Sequence, residues 1–329
     1  MIESIAQWEK LQEAAAAIRE QIGRVVVGQK EAVEQLLWCL FAGGHAILEG
    51  IPGLGKTMLV KTVAEAVDLS FSRIQFTPDL MPADITGTNL IQFGERGETS
   101  HRFQPGPIFG HLVLADEINR ATPKTQSALL EAMQERTVTV GSVTRELPRP
   151  FFVLATQNPL EQEGTYPLPE AQLDRFLAKL IVTYPSREEL KEIALRTTAA
   201  DAPQVRKVAD GAAIEAIQDT VKRLLVEGEV LDYAVRLIMA THPAEPEAPE
   251  AVKRYVRYGS GPRGIQALLS LAKARAFGAG RMNVSFHDIE QVALPALRHR
   301  IFLTFEGEAS GMTTDAVLRE LLASLGGRA

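Results

Sequence analysis

Apolar residues recur at helical spacing through the first forty positions. An Ala/Glu-rich amphipathic stretch comes first, and a second begins after Val27-Gly28-Gln29 and carries Val33, Leu36, Leu37 and Leu40. Two helices are predicted there. From about residue 44 to 183 the pattern changes. Short continuous apolar runs, Ala46–Leu48, Phe71–Phe76, Leu112–Ala115, Phe151–Ala155 and Leu177–Val182, alternate with helical patterns. Buried strands alternating with helices predict an α/β fold whose parallel sheet is covered on both faces. Pro185 then ends the last strand, and Ser186 is placed to cap a helix. Beyond it the pattern is mostly helical, with a Pro/Glu-rich connector over 242–249. The expected organisation is an α/β domain over 1–186 and a smaller helical domain over 187–329.

Two segments break the alternation. Residues 77–110 are rich in Pro and Gly and too long for a simple connection, with Gly94–Glu98 at an expected hairpin tip. Residues 137–150 hold β-branched residues alternating around Gly141-Ser142, the signal of a two-residue hairpin. Both are read as insertions, either surface decoration or working loops.

The first candidate chemistry lies between the first strand and the helix that follows it. Gly50-Ile51-Pro52-Gly53-Leu54-Gly55-Lys56-Thr57 fits the phosphate-loop pattern G-x-x-x-x-G-K-[ST]. Its glycines let the backbone aim N–H groups at phosphate oxygens. Lys56 supplies a point charge for the β and γ phosphates, and the Thr57 hydroxyl can ligate Mg²⁺. Met58 and the apolar residues after it recur at helical spacing, so the anion meets the positive end of a helix. ATP and Mg²⁺ are the expected ligands.

Hydrolysis needs more: a carboxylate for the metal, a group that polarises water, and a contact to the γ-phosphate. The run Leu112–Ala115 ends in Asp116-Glu117, at the carboxyl edge where open α/β sheets bind ligands. Asp116 is the candidate metal carboxylate, and Glu117 the group that orients and deprotonates water. The next strand runs into Thr156-Gln157-Asn158-Pro159, which makes Asn158 the candidate for a hydrogen bond to the attacking water or a γ-phosphate oxygen.

Composition narrows the field. At 329 residues, 46% hydrophobic and 23% charged, the chain has the make-up of an ordinary globular protein. A formal net charge of −6 weighs against nonspecific affinity for nucleic acid. The single cysteine, Cys39, lies in an apolar run and is read as a small core residue. No secretory signal is visible and no apolar run approaches the roughly 18 residues of a membrane span, so the cytoplasm is expected. The six histidines show no metal-ligand spacing, and no protease-like nucleophile arrangement is present.

These residues together resemble the AAA+ ATPases, and among them the MoxR family, over nearly the whole chain. The resemblance rests on 50–57, on Leu112–Glu135, on Thr156–Pro159, on Pro167–Phe176 and on Gly261-Pro262-Arg263. It implies an AAA+ P-loop NTPase core with a smaller C-terminal all-helical lid. It further implies that Asn158 is the first sensor, Arg175 an arginine finger reaching a neighbouring subunit, and Arg263 the second sensor at the start of a lid helix. Val27 and Gly28 match the segment packed on adenine, with Gly50, Pro52, Gly53, Leu54, Gly55, Lys56, Thr57 and Met58 completing the nucleotide site. Arg120 is placed for an intersubunit contact. The two insertions match a helix-2 insert and a pre-sensor-1 hairpin that face the ring pore. By the same resemblance the chain is an ATPase forming a ring, expected to be a hexamer. It would be a chaperone-like remodeller acting with a von Willebrand factor A domain partner on a client protein. A nucleic-acid motor and a nucleotide-gated scaffold are the competing readings. Leu297-Arg298-His299-Arg300-Ile301 is similar to a lid pattern of the family, and its charges are read as a solvated helix face.

Overall fold

The computed structural model describes residues 5–51, 53–93, 99–158, 164–198 and 203–326. Two helices lead, α1 (Ile5–Val25) and α2 (Lys30–Ala42), followed by β1 (Ala46–Glu49), α3 (Lys56–Ala66) and β2 (Phe71–Gln75). The first insertion contributes α4 (Pro82–Thr86) and the antiparallel pair β3 (Gly87–Phe93) and β4 (Thr99–Pro105). Then come β5 (Leu112–Asp116), α5 (Pro123–Glu135), the hairpin β6 (Thr137–Val140) and β7 (Val143–Glu146), β8 (Phe152–Gln157), α6 (Glu170–Leu173) and β9 (Ala178–Ile181). The remainder is mostly helical: α7 (Arg187–Thr198), α8 (Gly211–Lys222), α9 (Gly228–Met239), α10 (Glu250–Tyr255), α11 (Pro262–Gly278), α12 (Phe286–Leu297), α13 (Phe305–Ala309) and α14 (Thr314–Gly326). Two short strands, β10 (Val256–Tyr258) and β11 (Phe302–Leu303), pair antiparallel within it. Among the described residues no helix is long and apolar enough to cross a membrane.

The sheet runs β2-β5-β8-β1-β9, every neighbour parallel. Alternation along its strands feeds two cores. Leu112 and Leu114 of β5, and Phe152 and Leu154 of β8, join the cluster with α1, α2, α3 and the C-terminal helices. Val113, Ala115, Val153 and Ala155 face the other way, into a cluster with Leu129, Leu130 and Met133 of α5. Period-2 side chains buried on both faces are why these strands read as unbroken apolar runs. Cys39 is wholly buried in the first core, and desolvation raises its thiol pKa far above the usual range.

The expected insertions take form. The tip at Gly94–Glu98 lies outside the described residues, between β3 and β4. The second insertion is the expected hairpin, turning at Gly141-Ser142 with Gly141 at φ +65°. The two hairpins touch: the Arg145 guanidinium stacks 3.8 Å above the Phe103 ring.

One sequence expectation is corrected here. Arg298, His299 and Arg300 do not form a solvated face; they are 8%, 4% and 5% exposed. Arg298 donates to the Asp315 carboxylate at 2.9 and 3.0 Å and to the Lys179 carbonyl at 3.1 Å. The His299 ring bonds the Phe176 carbonyl at 3.1 Å. Arg300 donates to the Asp174 carboxylate at 2.8 Å, to the carbonyls of Phe176 and Leu177 at 2.6 and 3.2 Å, and to that of Ala296. The two guanidiniums and the His299 ring are buried because the carboxylates of Asp174 and Asp315 and the carbonyls around the entry to β9 take their N–H groups.

Candidate nucleotide site

Strand register assembles the site. In the order β5-β8-β1 the loop after β1, the residue after β8 and the acids ending β5 emerge side by side at the carboxyl edge. Glu49 pairs with Gln157 and Ala115 with Ala155, and the Gly50 N–H donates to the Gln157 carbonyl at 3.4 Å. Two strand spacings, about 10 Å, therefore separate the backbone of the phosphate loop from that of Glu117, with Asn158 between them.

The loop itself is strained where glycine permits. Gly53 and Gly55 have φ of +86° and +76°, and Gly55 leads directly into the first turn of α3, which opens with Lys56 and Thr57. Lys56 Nζ donates to the Gly50 carbonyl at 2.8 Å, folding the side chain back across the loop. Half-burial lowers its pKa, while the nearby charges of Asp116 and Glu117 act in the opposite sense. Pro52 lies outside the described residues.

Asp116 is 8% exposed and both of its oxygens are engaged. Oδ1 accepts from Thr156 Oγ1 at 2.6 Å, and Oδ2 accepts from Arg73 Nη2 and Nε at 2.7 and 3.2 Å. Glu117 holds φ +57°, a left-handed backbone unusual outside glycine, and its N–H is tied to Thr156 Oγ1 at 2.9 Å. Its Oε2 accepts from Gln75 Nε2 at 2.8 Å and Arg120 Nη1 at 3.1 Å. Thus Arg120 contacts the acid beside it within its own chain. Asn158 is 5% exposed at the end of β8. Thr57 and Asp116 offer oxygen donors only, and these suit a hard cation such as Mg²⁺.

A cleft of about 510 Å³ opens beside the loop, lined by Val25, Val26, Val27, Gln29, Gly53, Leu54, Gly55 and Met58 on one side. Tyr184, Pro185, Leu190, Ile193, Arg196 and Thr197 line the other. Apolar walls around a few polar groups suit a base and ribose. Gln29 Nε2 ties the segment before α2 to the phosphate loop within the first wall, donating to the Leu54 carbonyl at 2.8 Å. Gly28 is not on the lining; at φ +70° it packs on Glu189, which a Cβ would meet at 2.7 Å.

Sequence reasoning missed the second wall, because no motif in α7 marks its residues as part of a nucleotide site. It also missed Arg73, Gln75 and Thr156. The alternation Arg73-Ile74-Gln75, with only Ile74 buried, was the available signal for the first two.

The two predicted arginines are elsewhere. Arg175 ends the turn entering β9, and the Leu177 N–H donates to the His45 carbonyl at 2.7 Å, at the amino edge of the sheet. Arg263, in the first turn of α11, lies 3.7 Å from Asp174, whose other carboxylate oxygen binds Arg300. Both arginines border a second cleft of about 370 Å³, with Gly44, His45, Met133 and Arg136. The four residues of β1, about 13 Å of strand, separate this edge from the phosphate loop of the same chain.

The family model described as ATPase family associated with various cellular activities (AAA) matches residues 45–178, and an AAA lid domain model matches 248–321. Chaperone MoxR1 of Mycobacterium tuberculosis is 42% identical over 305 residues, 93% of this chain and 80% of that one. This chain belongs to the MoxR family of AAA ATPases. Protein MoxR of Methylorubrum extorquens is 31% identical over 88% of both chains. The crystal structure of a putative ATPase from Cytophaga hutchinsonii superposes with a TM-score of 0.90 at 40% identity, covering 97% of this chain and 96% of that one. A MoxR-family ATPase binds and hydrolyses ATP, which accounts for a phosphate loop and an acidic strand end on one sheet edge.

Proposed function

We propose that this MoxR-family ATPase works as a ring, a hexamer by resemblance, in which Mg²⁺–ATP is hydrolysed between subunits to drive remodelling of a client protein. In this reading the base occupies the cleft beside Val27. The amides of 50–57 and Lys56 hold the phosphates, while Thr57 and Asp116 hold the metal. The ion, when bound, offsets phosphate charge. Glu117 takes a proton from water as its oxygen bonds to the γ-phosphorus and the bond to the β-phosphate bridging oxygen breaks. Asn158 bonds the attacking water or a γ-phosphate oxygen. Arg175 and Arg263 belong to the neighbour's site, where a guanidinium would stabilise transition-state charge. A cytoplasmic setting and a von Willebrand factor A domain partner, which would present the client for maturation, come from the family resemblance.

The observation that carries the reading is the separation of two half-sites: loop, metal acid and base at one sheet edge, two arginines at the other. A single chain cannot bring both to one phosphate, whereas a head-to-tail ring can. The test is a Glu117→Gln trap. It should bind ATP, form rings by analytical ultracentrifugation and retain the partner in a pull-down, with turnover reduced about 10²–10⁴-fold. Unchanged phosphate release would remove Glu117 from its role, and a chain that stays monomeric with ATP while turning over would refute the ring.

A further inference from the structure

Three side chains gather on one face across β2, β5 and β8: Asp116 lies in register with Gln75, Arg73 reaches it diagonally from its place beside Leu114, and Thr156 meets it from β8. All three face the side of the sheet whose core includes α3, as do Leu114 and Leu154 two residues earlier on their strands. Thr156 is fully buried and holds the inner oxygen of Asp116. The outer oxygen, Oδ2, takes two N–H groups from the Arg73 guanidinium at 2.7 and 3.2 Å. Arg73 is 47% exposed on an edge strand, so its guanidinium can leave into solvent while its backbone stays paired.

We propose that Arg73 is a positioning residue that competes with the catalytic metal for Asp116. Guanidinium and divalent cation want the same lone pairs of Oδ2, and their charges repel, so full occupancy by one excludes the other. The pair thereby preserves the Asp116 rotamer and keeps the carboxylate charge compensated until the metal arrives with nucleotide. Arg73 also donates to Gln75 Oε1 at 2.6 Å, so its departure has a waiting partner on the same strand. This inference rests on the reading of Asp116 as the metal carboxylate.

The test is Mn²⁺ binding to the full chain with ADP, followed by electron paramagnetic resonance. Arg73→Gln removes the competing charge and should tighten Mn²⁺ about fivefold, the scale of a partly exposed ion pair, with ADP affinity in EDTA unchanged. Half-saturation of ATPase activity by Mg²⁺ should move down by the same factor. Arg73→Lys, which keeps the charge and loses the fork, provides a second variant and should tighten Mn²⁺ by less. Equal or weaker Mn²⁺ binding in Arg73→Gln, or in Arg73→Lys should the first variant not fold, overturns the proposal. Asp116→Asn separates the premises: if it leaves Mn²⁺ affinity untouched, the metal reading itself fails; if it weakens Mn²⁺ while Arg73→Gln does not tighten it, only the competition fails.

Discussion

Replacing Arg300 with Met is the sharpest test of how the helical part is fixed to the sheet. The substitution keeps an unbranched apolar stem and deletes the guanidinium. Lost with it are the pair to Asp174 and the bonds to the carbonyls of Asp174, Phe176, Leu177 and Ala296. Removing one partner of a buried pair costs about 3–5 kcal/mol, and each stranded carbonyl adds about 1 kcal/mol. Asp174 is 34% exposed, so water recovers part of the carboxylate loss, and the retained stem recovers some packing. About 4 kcal/mol remains, which for a chain of this length lowers Tm by about 6 °C. Differential scanning calorimetry at neutral pH reads it directly. A solvated arginine would change stability by about 0.5 kcal/mol at most. A Tm within about 1 °C of the parent would refute the buried cross-link.

Two further predictions follow from the site and the core. Ile193→Glu puts a charge on the α7 wall of the cleft and should raise KM for ATP about tenfold with kcat nearly unchanged, the mark of uniform binding; steady-state kinetics with kcat falling instead would mean that α7 serves the chemistry. His45 is buried between the Met133 carbonyl and the Val153 N–H, and desolvation lowers its pKa to about 4. A depressed histidine is neutral when folded, so its stabilisation is complete above pH 6.5 and drains as pH falls toward 4, by up to about 1.4 kcal/mol per unit. Burial lowers His299 in the same sense. Urea unfolding between pH 7 and pH 5 should show this slope, shallower in His45→Gln; equal slopes would contradict the assignment.

The phosphate loop, the acids after β5 and Asn158 were legible because each follows an apolar run whose place in a parallel sheet is fixed by its pattern. Chemistry at strand ends inherits that register. The edge strand β2 is less legible: Phe71–Phe76 reads as a continuous apolar run, although its alternation turns Arg73 and Gln75 toward the acids. The charges of 298–300 misled for a different reason. Sequence displays their cost of burial but not the carbonyls at the turn before β9 that offset it, since the bonded pairs are 123 and 124 residues apart. A still longer separation in sequence hid the α7 wall, which approaches Val25–Val27 only once the chain has folded.

Mixing two inactive chains tests the central claim most directly. Arg175→Ala retains the loop and acids, while Glu117→Gln retains the arginines, so each alone should lack turnover. In randomly mixed rings at equal amounts, about a quarter of interfaces combine an intact site with an intact finger, so about a quarter of parental ATPase activity should return. A mixture as inactive as its components, in rings shown to exchange subunits, would contradict a site completed by a neighbour.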